Sequence, residues 1–227
     1  MENVKRMLRL VSDSVYEQAR RGHIGNVLSR VVGNIRLVVV KMPDSITPES
    51  ICSLTERDLD FETPLEPRER KSVFEYAALR TSKMLPPRIF FSESIEGKDM
   101  YNSGMFMDYD EAAGRHIETI DKKRALKGIR LTTTGWFGGA VAVFYPGVAK
   151  RLSELMKSDF YVTFPSVHEA RVHSASWSNV HEVHRAISEW NRLGKMRDTD
   201  EYVGDVVLRY CTVRDEFLPV EYPDWNS

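Results

Sequence analysis

Residues 129–168 constrain the fold most, because the apolar pattern, the turn residues and the polar residues all predict the same elements there. Ile129 to Thr134 is rich in β-branched residues and predicts a strand, and the glycines after it predict a turn. Ala140 to Tyr145 is a nearly continuous apolar run, typical of a buried strand. From Val148 the apolar residues recur at helical spacing, and Phe160 to Phe164 is again strand-like. The stretch predicts strand, turn, strand, helix, strand and then a polar loop.

Two elements are predicted at the N-terminal end. The apolar residues from Val4 to Ala19 fall at helical spacing after Asn3, which is a suitable cap, so we expect a helix of about five turns there. The β-rich runs Val27 to Val32 and Ile35 to Met42 are separated by Gly33-Asn34. This spacing predicts a tight hairpin, because glycine can take the positive φ that a type II′ turn requires.

The remaining elements follow from apolar spacing and from Pro and Gly positions. The sequence predicts helices over roughly 47–57, 73–85, 108–124 and 179–193, strands over 89–91, 206–213 and 217–222, a strand end at Pro165, and a loop over 92–104. We therefore expect an α+β fold with a mixed or antiparallel sheet and helices packed on its faces. The chain is expected to be a single compact domain over 1–227, made of an N-terminal half 1–128 and a C-terminal half 129–222.

Composition favours a globular cytoplasmic protein. Hydrophobic content of 42% and charged content of 29% over 227 residues are ordinary for a folded domain and argue against a disordered or fibrous chain. Cys52 and Cys211 lie far apart, without the spacing of a disulfide framework or a metal site. The N-terminus carries charges where a signal peptide needs an apolar core, and no stretch approaches the roughly 20 apolar residues of a membrane span. A membrane partner is not expected.

Charge is distributed unevenly although the net charge is only −1. Residues 1–36 carry an excess of basic side chains and residues 197–227 an excess of acidic ones. The basic N-terminal helix could bind nucleic acid through Lys5, Arg6, Arg9, Arg20 and Arg21. The alternative is that both ends are solvated faces or face each other, which is the usual outcome for such charge runs.

The C-terminal half carries a set of motifs in a fixed order. A Leu-Thr strand and a Gly-Ala pair are followed by Tyr-Pro-Gly-Val, an amphipathic helix, Asp-Phe-Tyr and Pro-Ser-x-His-Glu. This order resembles a family of uncharacterised clostridial proteins, a domain of unknown function. The matching residues are Leu131, Thr132, Gly139, Ala140, Tyr145, Pro146, Gly147, Val148, Asp159, Phe160, Tyr161, Pro165, Ser166, His168 and Glu169. The resemblance implies a bacterial protein with the family's fold and a location of interest, and it implies no mechanism.

Ser166, His168, Glu169 and Tyr145 are the candidate catalytic residues. A serine next to a histidine suggests a nucleophile and its base, but the chain lacks the G-x-S-x-G nucleophile elbow. In the structural alternative, Ser166 caps a turn and His168 or Glu169 holds a backbone group.

Metal and cofactor motifs are weak. His168 and His173 are five residues apart, which puts them on different sides of a helix, while His181 and His184 are three apart and lack a third ligand at a recognisable spacing. The sequence has neither GxxxxGK[ST] nor GxGxxG, and no cofactor is predicted. The purified protein is expected to hold no stoichiometric metal.

Three functions stay open. The first is a non-enzymatic interaction or regulatory module with a protein partner, because no catalytic constellation is complete. The second is a small hydrolase that uses His168 and Glu169 as an acid-base pair in a cleft beside Tyr145 and Ser166. The third is nucleic-acid binding through the N-terminal helix. A concave pocket around His168 would favour the hydrolase, and a filled surface would favour binding.

Overall fold

The chain folds into an α+β structure whose two main sheets, in the described part, have three and six strands. A computed structural model describes residues 5–21, 26–33, 35–43, 45, 47, 50, 56–59, 61–62, 66–91, 109–110, 115–116, 119–120, 122, 129–135 and 137–220. The α+β prediction is confirmed, and the described strands pair antiparallel throughout.

The N-terminal segment begins with a strand, so the predicted helix from Asn3 is wrong in its first half. Strand β1 (Arg6–Ser12) is followed directly by helix α1 (Asp13–Ala19), whose N-cap is Ser12. β1 pairs with β4 (Ile35–Lys41). Residues 7–12 are buried on both faces of β1, so the apolar residues do not alternate with polar ones and the helical spacing was misleading.

The predicted hairpin is confirmed. Strand β3 (Ser29–Val32) pairs with β4 from Val32↔Ile35 to Ser29↔Val38, and Gly33 has the positive φ, +65°, that the turn needs. These strands form the three-stranded sheet in the order β1-β4-β3. Two short strands pair beside it, β2 (Asn26–Val27) and β5 (Phe61–Glu62).

The predictions for residues 47–124 have mixed outcomes. Helix α2 (Pro67–Met84) and strand β6 (Pro87–Phe91) confirm the predicted helix and strand on either side of the two prolines. The predicted helix over 108–124 is wrong at its start, because β7 (Tyr109–Asp110) pairs with β8 (Arg115–His116). Most of the predicted helix over 47–57 lies outside the described residues, and its last two positions belong to a 3-10 turn, Glu56–Asp58. All of the predicted loop over 92–104 lies outside the described residues.

The six-stranded sheet is built mainly from the C-terminal half. Its strands from that half are β9 (Ile129–Thr133), β10 (Phe160–Ser166), β11 (Glu169–Ser174), β12 (Val207–Cys211) and β13 (Glu216–Pro219). With β6 they lie in the order β13-β12-β10-β11-β9-β6. The predicted strands are confirmed at β9, β10, β12 and β13, whereas β11 was not predicted.

The polar loop predicted after Phe164 is instead a tight hairpin between β10 and β11. Pro165 does not end β10, because the strand continues to Ser166. The β10–β11 register shifts between Thr163 and Ser166, and such an irregularity accommodates a proline, which has no N–H to donate.

Ala140 to Tyr145 forms no strand, contrary to the prediction. The segment is a buried 3-10 helix, Gly139–Phe144. A strand joined to β9 by the predicted turn would pair with β9, but β9 already pairs with β6 on one side and β11 on the other. The helices that follow, α3 (Val148–Met156) and α4 (Val180–Leu193, capped by Asn179), are confirmed.

One buried apolar cluster joins the two sheets. It includes Leu8 and Leu37 from the three-stranded sheet, Leu131 and Val162 from the six-stranded sheet, and Leu152 from α3. Helix α4 packs on the other face of the larger sheet through Val183, Ile187 and the β12 residue Val207. Within the described residues, no helix has both the length and the apolar character to cross a membrane.

Candidate functional site

The imidazole of His168 is held in place by the fold. His168 lies in the β10–β11 turn, where the backbone N–H of Gly138 donates to its Nδ1 at 3.0 Å. Because Nδ1 accepts, the proton of the neutral ring lies on Nε2, which is 3.6 Å from Oε1 of Glu201. The lone pair of Nδ1 is therefore committed to a backbone group in this arrangement.

Ser166 and Thr132 complete the turn. The Ser166 hydroxyl accepts the backbone N–H of His168 at 3.1 Å, and the Thr132 hydroxyl donates to the carbonyl of His168 at 2.7 Å. Gly139 packs into the same place: a Cβ on it would lie 2.2 Å from Thr132 Oγ1 and 2.5 Å from His168 O. We call Thr132, Gly138, Gly139, Ser166 and His168 the hairpin anchor. Its contacts match the structural alternative for Ser166 and His168.

Glu169 is the centre of an ion-pair cluster on the sheet. Its Oε2 accepts from Arg130, with Nε at 2.8 Å, and its Oε1 accepts from Arg171 Nε at 3.1 Å. The carboxylate is largely buried, at 14% exposure. Both carboxylate oxygens therefore bond guanidinium groups, one on β9 and one on β11. The bond from Glu169 to Arg130 links these two neighbouring strands.

Tyr145 lies away from the other three candidates. It follows the 3-10 helix that begins at Gly139 of the hairpin anchor. At the usual rise of a 3-10 helix, Tyr145 lies about 12 Å from Gly139 along the helix axis. The side chain is 3% exposed, and its hydroxyl has no hydrogen-bond partner among the described residues. Burial raises the pKa of this phenol above its ordinary value. The structure therefore places Ser166 and His168 in the hairpin anchor, Glu169 in the neighbouring ion-pair cluster, and Tyr145 apart from all three.

The histidines outside the anchor are also separated. His173 lies on β11, where burial, helped by the charge of Arg171, lowers its pKa from 6.5 to about 4. His181 and His184 line a surface groove of about 710 Å³ along α4. Among the described residues, no group of three or more His, Cys, Asp or Glu side chains is placed to hold a metal ion.

The basic N-terminal residues do not form one helical face. Lys5 precedes β1, Arg6 and Arg9 belong to it, and Arg9 is only 4% exposed. Arg20 and Arg21 come after α1. The expectation of a basic N-terminal helix is therefore corrected, because β4 recruits this segment into a sheet.

A cavity between α2 and α3 is the feature that the sequence analysis missed. Its volume is about 660 Å³, and we call it the α2–α3 cavity. The described residues that line it are Leu79, Ser82, Lys83, Pro86, Pro87, Tyr145, Pro146, Gly147, Val148, Lys150, Arg151 and Glu154. The anchor residues Ser166 and His168 are not part of its lining.

Charge in the α2–α3 cavity is predominantly positive. Lys83 comes from α2, and Lys150 and Arg151 come from the first turn of α3. The acidic residue of the lining, Glu154, accepts from Arg151 at 3.3 Å. The N-cap of α3 is Gly147, with φ +78°, so no side chain caps this helix. The unshared positive end of the helix dipole adds to the charge of the lysines.

Comparison of the chain with family models, curated proteins and solved structures finds no significant match. The resemblance to the clostridial family stays a prediction. Eight of the fifteen residues behind it lie in two places: Thr132, Gly139, Ser166 and His168 belong to the hairpin anchor, and the run Tyr145 to Val148 lines the α2–α3 cavity.

Proposed function

We propose that this protein is a non-enzymatic binding module and that the α2–α3 cavity is its binding site. One observation carries the proposal. The side chains best suited to catalysis, His168 and Glu169, are engaged in the fold's own hydrogen bonds and ion pairs. The cavity, in contrast, offers a concave and largely apolar surface that the fold leaves open.

The dimensions and lining of the cavity support this role. Its volume of about 660 Å³ lies within the usual range of small-molecule sites, roughly 300 to 1,000 Å³. Such sites combine apolar walls with a few polar groups that fix the orientation of the ligand. The hydroxyl of Ser82, which could otherwise act on a ligand, donates to the carbonyl of Leu79 at 2.8 Å.

The clostridial resemblance fits the same proposal. All four residues of the Tyr-Pro-Gly-Val pattern, Tyr145 to Val148, line the cavity, so we infer that proteins with this pattern share it. We also infer a cytoplasmic, bacterial setting, which agrees with Cys211 being a free thiol.

The hydrolase alternative has less support. It needs His168 as a base, but Nδ1 of His168 already accepts the Gly138 N–H. It also needs Tyr145 in the same cleft, but Tyr145 lies at the far end of the 3-10 helix. Nucleic-acid binding has less support as well, because Arg9 is buried.

A fragment screen by NMR tests the proposed function. Isotope-labelled protein is mixed with small molecules of positive, neutral and negative charge, and amide shifts are mapped along the chain. We expect shifts to cluster at Lys83 and at Gly147 to Arg151. Leu79→Trp, which fills the mouth of the cavity from a position that is 47% exposed, should abolish them.

Tyr76→Trp is the matched control, because Tyr76 lies one turn away on the same helix, is 55% exposed and does not line the cavity. It should leave the shifts intact. A library that shifts no cavity residue, or one whose hits cluster around His168 and are hydrolysed, would overturn the proposal.

A further inference from the structure

The α2–α3 cavity has a charge that selects among ligands. Three cationic side chains, Lys83, Lys150 and Arg151, face one acidic side chain in its described lining. That side chain, Glu154, is already bonded to Arg151. Net positive charge beside apolar walls disfavours cations and gives an anionic ligand charged hydrogen-bond donors.

The first turn of α3 strengthens this preference. Helix N-termini bind anions through exposed N–H groups and the positive end of the dipole. α3 has nine residues, and its N-cap Gly147 supplies no side-chain oxygen to the first turn. A Cβ placed on Gly147 would meet no atom within 4 Å, so the space beside the helix start is open to a ligand.

Tyr145 provides an independent indication of a ligand. A buried hydroxyl without a partner costs free energy and is uncommon in folded proteins. Tyr145 lines the cavity directly before the start of α3, and its hydroxyl has no partner among the described residues. A ligand oxygen that reached this hydroxyl would satisfy it.

We propose that the ligand is a small amphiphilic carboxylate, an inference that rests on the proposed function. The carboxylate lies at the start of α3 between Lys150 and Arg151, with the Tyr145 hydroxyl as a further donor. The apolar part of the ligand packs on Leu79, Pro86 and Val148. A carboxylate is favoured over a phosphate because the walls are largely apolar and the loop before α3 supplies a single glycine rather than a glycine-rich cradle.

The test uses probes with one hydrocarbon tail and different head groups: octanoate, 1-octanol, octylammonium and octyl phosphate. Their affinities are measured by NMR titration of the full chain, and the shifts are followed at Gly147 to Arg151. Octanoate should bind about tenfold more tightly than 1-octanol, as one charge-assisted hydrogen bond implies. Octylammonium should bind more weakly than both.

Variants connect the preference to particular side chains. Lys150→Gln and Tyr145→Phe should each weaken octanoate binding several-fold and should weaken 1-octanol binding much less, because a hydrogen bond to a neutral hydroxyl is weaker than one to a carboxylate. Lys71→Gln is the control, because Lys71 is exposed on α2 and pairs with Glu75 outside the cavity. Thermal melts confirm that each variant is folded, and Tyr145→Phe should not lower the melting temperature, since it removes an unsatisfied group.

The outcomes separate this inference from the proposed function. Equal affinity for octanoate and 1-octanol at the cavity would overturn the carboxylate assignment while the cavity stayed a binding site. Much tighter binding of octyl phosphate than of octanoate would overturn it in favour of a phosphate. If no probe and no fragment of the broader screen shifted the cavity residues, the proposed function itself would be wrong.

Discussion

Replacement of His168 by alanine is the most informative test of the hairpin anchor. The change removes Nδ1, the acceptor of the Gly138 N–H at 3.0 Å, and leaves that half-buried donor without its partner. A lost partner of this kind costs about 1–3 kcal/mol. The contact between Nε2 and Glu201, at 3.6 Å, adds little because Glu201 is 42% exposed. We therefore expect His168→Ala to lower the free energy of unfolding by about 2 kcal/mol.

For a chain of this length, a loss of that size lowers the melting temperature by about 4–8 °C. The assay is a thermal melt, followed by urea unfolding to obtain the free energy. His168→Asn is the matched control, because the asparagine side-chain oxygen occupies nearly the position of Nδ1 and accepts the same N–H. It should restore most of the loss. If alanine costs less than about 0.5 kcal/mol, or if asparagine is as destabilising as alanine, His168 does not anchor the turn and returns to the candidate functional residues.

Three further predictions concern stability. Gly139→Ala should cost about 1–3 kcal/mol or more in urea unfolding, because its Cβ would overlap Thr132 and the His168 carbonyl, and a neutral result would contradict the close packing. Asp159→Ala should be destabilising at pH 7, since the N–H of Thr212 and then Arg209 lower the Asp159 pKa, and the difference from wild type should shrink as the pH falls below about 4. The free energy of unfolding should fall by at most about 3 kcal/mol as the pH falls from 6.5 to about 4, because His173 takes up its proton in the unfolded chain before it does so in the folded one. His173→Gln should remove this dependence of the free energy of unfolding on pH. An unchanged dependence would assign it to other groups.

The sequence predicted elements whose signals are local. The β3–β4 hairpin depends on the two residues between its strands, and Gly33 has the positive φ expected from them. Helix α4 was predicted from its clear apolar stripe. In the structure the Asn179 side chain caps it by accepting the N–H of His181 at 2.9 Å. In these cases neighbouring residues decide the conformation, and no distant contact competes with them.

Two of the wrong predictions have a common physical cause. Residues 7–11 and 140–143 are buried on all sides, so neither run has the alternation of apolar and polar residues that distinguishes a strand from a helix. Distant partners decide between the two. β1 became a strand because β4 offered it an edge, and residues 139–144 became a 3-10 helix because both edges of β9 were already paired.

The same dependence on distant partners explains why the α2–α3 cavity could not be predicted. Lys150, Arg151 and Glu154 have the pattern of a solvated helix face, and only the position of α2 makes that face the wall of a cavity. Thr81 links α2 to strand β1. Its hydroxyl donates to the Ala77 carbonyl at 2.7 Å and accepts the N–H of Leu8 in β1 at 2.8 Å. This bond also covers the edge of β1, which would otherwise expose unpaired backbone groups. The hydrogen bond between Leu8 and Thr81 therefore helps to position α2 against a helix whose charged residues lie near position 150. The spacing of apolar and polar residues within each helix gives no information about this contact.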